Sequence, residues 1–452
     1  MKCKLGSLIS LLLITTPWTI GVKQATAATT IELPSVSNKP LSLESMPPAM
    51  IMLILGRDHT LYNAAYNDLV DLNGNSKLDI DDTRFNPSVE YYGYFDSYKC
   101  YSYSVAPSVG DSKFVPQQYI SGALKDTDCG GTQWSGNFLN YLTTSRMDAL
   151  RKALYGGYRI SDPSTGGATL QASFMPADSH VWGKAYYPSG DPLYNSNFLI
   201  KKFAPYENDQ KLFFARINET ASDSPGSGNI TAPELRVLNL TKVKAKTWLS
   251  DNDYNQMTVS HWAGTGTPEA RTYLIKPTSS SGEIYLLKEK ISFKDNNDTG
   301  KSHAYYFPDL NGGPQNYDID TLKKFVINVD VCNDNTTFKY EDSSNNHGNK
   351  EGCSAYKNGS TTVYKPEGIL HTYAKNKKAE FGLITGSYDV NLDGGVLRRN
   401  MADFSKEYDS ATGVFNYSQT GGVKGIVYNL NTLKIINFDM DPKVNTQKNP
   451  WS

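Results

Sequence analysis

Four cysteines, Cys100, Cys129, Cys332 and Cys353, constrain this chain more than any other feature. They are an even set with no CxxC and no paired histidine spacing, which argues for two disulfides over a zinc site. Of the three connectivities open to them, Cys100 to Cys129 with Cys332 to Cys353 is favoured, because each pair closes a modest polar loop. Disulfides persist in oxidising compartments, so this reading requires export. The first residues agree: Lys2 and Lys4 are followed by an apolar core from Leu8 to Ile14 and by small residues at Ala25-Thr26-Ala27. This is the pattern of a signal peptide over residues 1–27, whose removal takes Cys3 with it. An uncleaved anchor is the alternative, but Thr15, Thr16 and Pro17 break the core well short of the ~20 apolar residues of a spanning helix. The expected location is therefore secreted, through the periplasm to the cell surface.

Charge narrows the partners. Of 45 basic residues, Lys2, Lys4 and Lys23 leave with the signal, so 42 face 46 acidic ones and the net charge is near −4. With no basic stripe, nucleic acid is not an expected partner. The 452 residues are enough for two or three domains, and 36 Gly and 22 Pro imply many turns. Residues 28–48, rich in proline, read as an extended lead-in. Ala49 to Leu55 is a continuous apolar run, expected as a buried strand covered on both faces. Ser145 to Tyr155 reads as a helix: Ser145 and Asp148 form a capping pair, and Met147, Leu150 and Leu154 share a face. Asp148 is placed to pair with Arg151 or Lys152, and Gly156 and Gly157 stop the helix. Residues 161–320 alternate in short stretches, such as Val243 to Thr247 and Glu283 to Leu287, and read as a β-rich insertion. Beyond it come a strand from Phe325 to Val331, a short helix opened by Pro366-Glu367 with Ile369, Leu370 and Tyr373 inward, and a strand from Phe381 to Ile384. The outline is an α/β core in two parts, 28–160 and 321–452, the second ending in a β segment.

One segment carries a specific chemistry. From Asp71 to Asp82, oxygen side chains recur at the loop positions of an EF-hand or dockerin calcium site. Asp71, Asn73, Asn75, Asp79 and Asp82 are the expected ligands, and Lys77 offers its carbonyl. Ser76 stands where such loops carry glycine, and Asp82 is shorter than the usual glutamate. Calcium is the expected cofactor; an Asn/Asp-rich surface turn is the alternative. Asp389 to Gly394 begins similarly but has Leu397 and Asn400 at the last ligand positions and reads as a turn, and Asp309 to Gly313 is weaker still. Tyr91, Tyr92, Tyr94, Tyr98, Tyr101 and Tyr103 form a cluster that suits strand packing better than a binding face. His59, His180, His261, His303, His347 and His371 are isolated, and no G-x-S-x-G, H-E-x-x-H or Walker loop occurs, so no enzymatic role is expected.

Several stretches in order resemble the N-terminal half of PilC/PilY proteins. They are Leu53 to His59 leading to Tyr66-Asn67-Asp68, Tyr91 to Cys100, Trp134 to Asn140 running into Ser145 to Arg151, Phe381 to Tyr388, and Gly394 to Asn400. The resemblance implies a von Willebrand A-like doubly wound sheet with a β-rich insertion, Ala49 to Leu55 as its first strand and Ser145 to Tyr155 as an outer helix. In that fold a D-x-S-x-S loop after the first strand holds a cation. Here Asp58 and Thr60 each offer one oxygen, but Tyr62 replaces the second hydroxyl, so an intact site of that type is not expected. The family usually continues into a β-propeller; here it is expected on a separate chain, or the chain is a shortened product. The implied function is a type IV pilus tip protein for pilus assembly and surface adhesion. Its implied partners are minor pilins or the pilus tip and a host or abiotic surface. A secreted glycan-active enzyme and an envelope structural protein are the rivals.

Overall fold

The structure, a computed structural model, describes residues 47–56, 59–66, 84–174, 182–189, 197–210, 212–218, 232–239, 256–258, 269–277, 284–292, 322–335, 337–340, 349–386, 395–417 and 423–433. All but Pro47 belong to one compact unit, Pro48–Ser452. In chain order its elements are β1 (Ala49–Leu55), a 3-10 turn (His59–Tyr62), β2 (Lys99–Ser104), β3 (Lys113–Tyr119), β4 (Trp134–Ser135), α1 (Gly136–Thr143) and α2 (Arg146–Tyr155). Next come β5 (Arg159–Ser161), β6 (Ala168–Gln171), β7 (Trp182–Tyr186), β8 (Leu212–Asn218), β9 (Pro233–Asn239), β10 (Gln256–Thr258), β11 (Glu269–Pro277) and β12 (Ile284–Ser292). The remainder is β13 (Leu322–Val326), β14 (Asn328–Val331), β15 (Cys353–Asn358), β16 (Thr361–Pro366), α3 (Ile369–Lys375), β17 (Ala379–Gly386), β18 (Gly395–Ala402) and α4 (Ile426–Thr432). The protein is a mixed α/β structure with several sheets and few helices among the described residues.

Two cores divide the work. The first lies among a six-stranded sheet, β4-β2-β3-β14-β6-β5, a four-stranded sheet, β13-β9-β8-β7, and α1. Trp134, Phe138, Phe114, Phe203, Phe214 and Phe325 are buried there, with many rings meeting edge to face. The stretch expected as one strand from Phe325 to Val331 serves both sheets. It breaks at Ile327, whose N–H donates to Pro233 O at 2.8 Å, and the two halves then pair with different neighbours. One run of backbone thus ties the two sheets together, as strands that switch sheets do. Residues 269–277 and 284–292 are β11 and β12, antiparallel from Glu269↔Ser292 to Pro277↔Ile284. Val243 to Thr247 lies outside the described residues.

The second core gathers Met147 and Tyr155 of α2, Leu370 and Ala374 of α3, Phe381 and Leu383 of β17, Phe404, Tyr408, Phe415, and Ile426, Val427 and Leu430 of α4. Its sheet is β1-β17-β18. β1 runs parallel to β17 from Ala49↔Ala379 to Leu55↔Thr385, and β18 is antiparallel to β17. The expectation that β1 is buried on both faces is wrong: Met50 is 74% and Ile54 77% exposed, and among the described residues β1 is the edge of its sheet. A continuous apolar run reports the composition of both faces but says nothing of what covers them.

Helix α2 starts and stops where its caps dictate. Ser145 is the N-cap with its capping box to Asp148 complete, and Gly156 ends the helix in the left-handed region at φ 88°. The expected pairing of Asp148 with Arg151 or Lys152 is not made. Asp148 instead accepts from Ser145 N at 3.0 Å, Ser145 Oγ at 2.7 Å and Ser173 N at 2.7 Å, so its oxygens are taken by the cap and by a loop 25 residues away. The later helix is phased differently from expectation. Pro366 and Glu367 precede it, Gly368 is its N-cap, and Leu370, His371 and Ala374 face inward, while Ile369 and Tyr373 are exposed. Both favoured disulfides are present: Cys100–Cys129 and Cys332–Cys353, with Cα separations of 5.6 and 5.5 Å.

Candidate functional site

The stretches of sequence that stood out separately meet in one place. Helix α1 begins at Gly136 with Ser135 as its cap, and it points two buried amides, Asn137 and Asn140, at the segment 89–97. Tyr91 N–H donates to Asn137 Oδ1 at 2.8 Å, and Asn137 Nδ2 donates to Val89 O at 2.8 Å. Asn140 Nδ2 donates to Tyr91 O at 2.8 Å and Phe95 O at 2.9 Å, and its Oδ1 accepts from Phe95 N at 3.0 Å. Backbone groups of an irregular segment are thereby satisfied out of water, which is the condition for burying such a segment at all. Gly93 is required by closeness: a Cβ there would lie 2.2 Å from Asn140 Oδ1 and 2.3 Å from Thr144 Oγ1.

This clamp fixes Tyr91, and Tyr91 fixes the root of the acidic loop. Tyr66 and Phe85 flank residues 67–83, and both pack on the Tyr91 ring, with centroids 4.8 and 5.5 Å away. Tyr66 also donates its hydroxyl to Tyr92 O at 2.8 Å, and burial raises its pKa above the ordinary value. Of the tyrosine cluster, Tyr91, Tyr94 and Tyr101 are buried and Tyr92 is exposed, so packing is its main role. The expected calcium ligands Asp71, Asn73, Asn75, Lys77, Asp79 and Asp82 lie outside the described residues. The two ends that would carry them are held against one ring.

Beside the clamp sits a buried charge cluster. Lys99 Nζ lies 2.6 Å from Glu351 Oε1 and 3.6 Å from Asp96 Oδ2, with all three side chains sealed from solvent. Its ammonium also lies 4.3 Å from the centre of the Phe338 ring. Glu351 Oε2 accepts from Cys332 N at 2.7 Å and from Tyr340 OH at 2.5 Å, joining the cluster to the second disulfide. Burial alone would lower the Lys99 ammonium, but Glu351 and Asp96 outweigh it and hold its pKa above the usual value. Burial pushes the Asp96 carboxyl up. Cys332, Glu351 and Cys353 bring ligand atoms within 4.8 Å of one another, yet the two sulfurs are bonded to each other, so the group is a cross-link and not a zinc site. Asp96 and Glu351 are a carboxylate pair, but one closed under a lysine and sealed from solvent.

The second set of expected positions follows β1. Because β1 and β17 are parallel, their carboxyl ends leave the sheet on the same side, toward Asp58 and toward Asp389 to Gly394. Asp58 and residues 387–394 lie outside the described residues. Thr60 is in the 3-10 turn, its carbonyl accepting from Asn63 N at 3.1 Å. Tyr62 is fully buried and donates its hydroxyl to Leu433 O at 2.5 Å, so its oxygen is committed to the fold.

Against known proteins, residues 82–238 match the family described as "PilY1 homolog, small alpha/beta domain", and residues 381–452 match "PilY1 homolog, second domain". A protein of Xylella fastidiosa named "Type IV pilus biogenesis factor PilY1 homolog" is 33% identical over 393 residues, covering 86% of this chain and 22% of the relative. The chain belongs to the PilY1-like family. A second match to a Xylella fastidiosa protein of the same name is 40% identical over 82 residues, 17% of this chain and 6% of the relative. This PilY1-like chain thus spans about a fifth or less of the curated relatives it matches. No solved structure matches it. Asn137, Asn140, Tyr91 and Gly93, which sequence reasoning did not single out as a unit, all fall within the first PilY1-like match. Their available signal was two asparagines three apart in a helix whose other residues are mostly apolar.

Proposed function

We propose that this chain is an exported protein of type IV pilus assembly, acting at the pilus tip by binding, with calcium ordering the loop from Asp71 to Asp82. The observation that carries the reading is the match over 86% of the chain to a protein named as a type IV pilus biogenesis factor. The buried disulfides suit export to the periplasm or cell surface, and among the described residues no helix is long and apolar enough to cross a membrane. The parallel pair β1 and β17, with antiparallel β18 beside it and α3 leading into β17, supports a von Willebrand A-like arrangement for the second core.

The donor set suits a hard cation: Asp71, Asn73, Asn75, Asp79 and Asp82 supply oxygen, and the Lys77 carbonyl completes it. Without a cation, the like charges of such a loop repel. With one, the loop closes between Tyr66 and Phe85 and presents a fixed surface. Adhesion to a host or abiotic surface, with minor pilins at the base, is the role this arrangement would serve. Two measurements test the reading. Calorimetry on the full chain should give heat with Ca²⁺ that disappears in Asp71→Ala/Asp79→Ala. Fractionation of cells should place the protein with sheared pili; its absence from that fraction would remove the pilus assignment whatever calcium does.

A further inference from the structure

The buried cluster at Lys99 contains the parts of a reaction as well as those of an ion pair. The turn from Asp96 to Lys99, closed by Lys99 N donating to Asp96 O at 3.1 Å, folds the lysine back over a carboxylate three residues before it. Asp96 is held there from two sides: its Oδ1 accepts from Tyr98 N at 2.9 Å, and its own N–H donates to Tyr101 OH at 2.8 Å. Its Oδ2 is 3.6 Å from Lys99 Nζ, and Glu351 Oε1 is 2.6 Å from the same nitrogen. The side chains of Lys99 and Glu351 have no exposure, and that of Asp96 has 2%. The rings of Phe338, Tyr340 and Tyr119 stand around the ammonium with centres 4.3, 5.0 and 5.2 Å away. A primary amine and a carboxyl group are thus in contact, out of water, with a second carboxyl group beside them.

The other carboxyl oxygen completes the arrangement. Glu351 Oε2 accepts from Cys332 N at 2.7 Å and Tyr340 OH at 2.5 Å, two donors fixed where negative charge would grow if Cδ became tetrahedral. Burial, with Glu351 next to it, raises the pKa of the Tyr340 hydroxyl far above its ordinary value, so it remains a donor. We propose that Lys99 and Glu351 condense to an amide, an isopeptide cross-link between β2 and the turn before β15, with Asp96 carrying the proton. Lys99 passes one ammonium proton to Asp96, whose carboxyl burial already pushes toward its neutral form. The freed amine bonds to Glu351 Cδ and the C–Oε1 bond breaks. That oxygen leaves as water, taking the proton from Asp96 and a second proton from the nitrogen. Ammonium plus carboxylate becomes amide plus water, so atoms and charge balance without an oxidant or a further reactant. Sealing favours the product, because an ion pair kept out of water carries a desolvation penalty that a neutral amide escapes. Holding the two groups in contact supplies their effective concentration. Against burial, Glu351 and Asp96 favour the ammonium, so the bond forms slowly, once in each chain.

This does not depend on the pilus reading. Peptide mass mapping tests it on the full chain, held folded for a time course and then denatured, reduced and digested with trypsin. The digest should contain a species joining the peptides of Lys99 and Glu351, lighter than their sum by one water and uncut at Lys99. Its growth should be first-order and independent of protein concentration, since both groups belong to one chain. Lys99→Arg keeps a cation beside both carboxylates but cannot form the amide, and should give no such species. Asp96→Asn should slow its growth roughly a hundredfold. The parent chain decides the matter whether or not either variant folds. Separate peptides of full mass for Lys99 and Glu351 at the end of the time course would overturn the inference. A water lost within the Lys99 peptide alone would place the bond on Asp96 and overturn it equally. A rate unchanged in Asp96→Asn would remove Asp96 from the step.

Discussion

The first core buries an irregular segment between two sheets, and the second packs a three-stranded sheet on helices. In the first, an irregular segment is buried outright and its polar groups are met one by one: Asn137 and Asn140 satisfy the backbone around Tyr91 and Phe95, and Lys99 is met by Glu351 and Asp96. In the second, β17 pairs with β18 through register shifts between Phe381 and Ile384, the inner face packs on α2, α3 and α4, Glu407 accepts from Ile426 N and Val427 N, and the outer face and one edge stand open among the described residues. A core that depends on matched polar partners fails sharply when one partner is lost. The matched core also holds Tyr66 and Phe85, on either side of residues 67–83, against the Tyr91 ring.

The largest effect expected is from Lys99→Met. It strands Glu351 and Asp96 without their cation in a sealed site, at a cost of about 3–5 kcal/mol in urea unfolding. Lys99→Met with Glu351→Leu should recover part of that loss, because it removes one stranded carboxylate but leaves Asp96 without its cation and Cys332 N–H and Tyr340 OH without an acceptor. If the double variant is no more stable than the single one, the first core does not rest on pairing. Asn140→Ala comes next, at about 3 kcal/mol, since it leaves buried backbone groups at Tyr91 and Phe95 unmet. It should also free the Tyr66 and Phe85 ends of the acidic loop, seen as faster proteolysis between residues 67 and 83 under conditions where the rest of the chain resists.

Acid should act first on the second core. His371 is buried among Phe404, Tyr408 and Phe415, with Arg159 and Lys375 adding to the cost of charging it. Burial, with those two cations, holds its pKa well below the ordinary 6.5. The unfolded chain therefore binds a proton more readily than the folded one below pH 6.5. The stability associated with neutral His371 is complete above that pH and is lost as pH falls toward the folded-state value. The urea midpoint should drop between about pH 7 and pH 5, and the drop should shrink in His371→Phe. An equal drop in both proteins would place the acid sensitivity elsewhere.

What could be read in the sequence was whatever is decided locally. The cap at Ser145, the stop at Gly156 and the two disulfide pairings depend on residues near one another in sequence, and each came out as read. What could not be read depends on partners far away. Asp148 is taken by Ser173, Lys99 by Glu351, and the two asparagines of α1 by a segment more than 40 residues earlier. The inward face of α3 was misjudged by a small error of phase: Gly368 caps the helix, which moves Tyr373 to the outside and His371 to the inside. The expected calcium ligands are a pattern of oxygens in the sequence and lie outside the described residues.

The smallest effect is the one that separates the two faces of the second core. Ile54, Ile384 and Leu397 form a row across β1, β17 and β18 on the outer face, and Ile54 is 77% exposed there. A lysine at position 54 keeps its stem on the sheet and its charge in water, so Ile54→Lys should change stability by no more than about 0.5 kcal/mol. Leu383, buried on the inner face of the neighbouring strand, should lose several times as much when truncated to alanine, about 2–5 kcal/mol. A loss from Ile54→Lys as large as that from Leu383→Ala would mean that a further layer covers the outer face in solution. The difference between the two substitutions therefore measures how much of β1's apolar sequence answers to its edge and how much to its face.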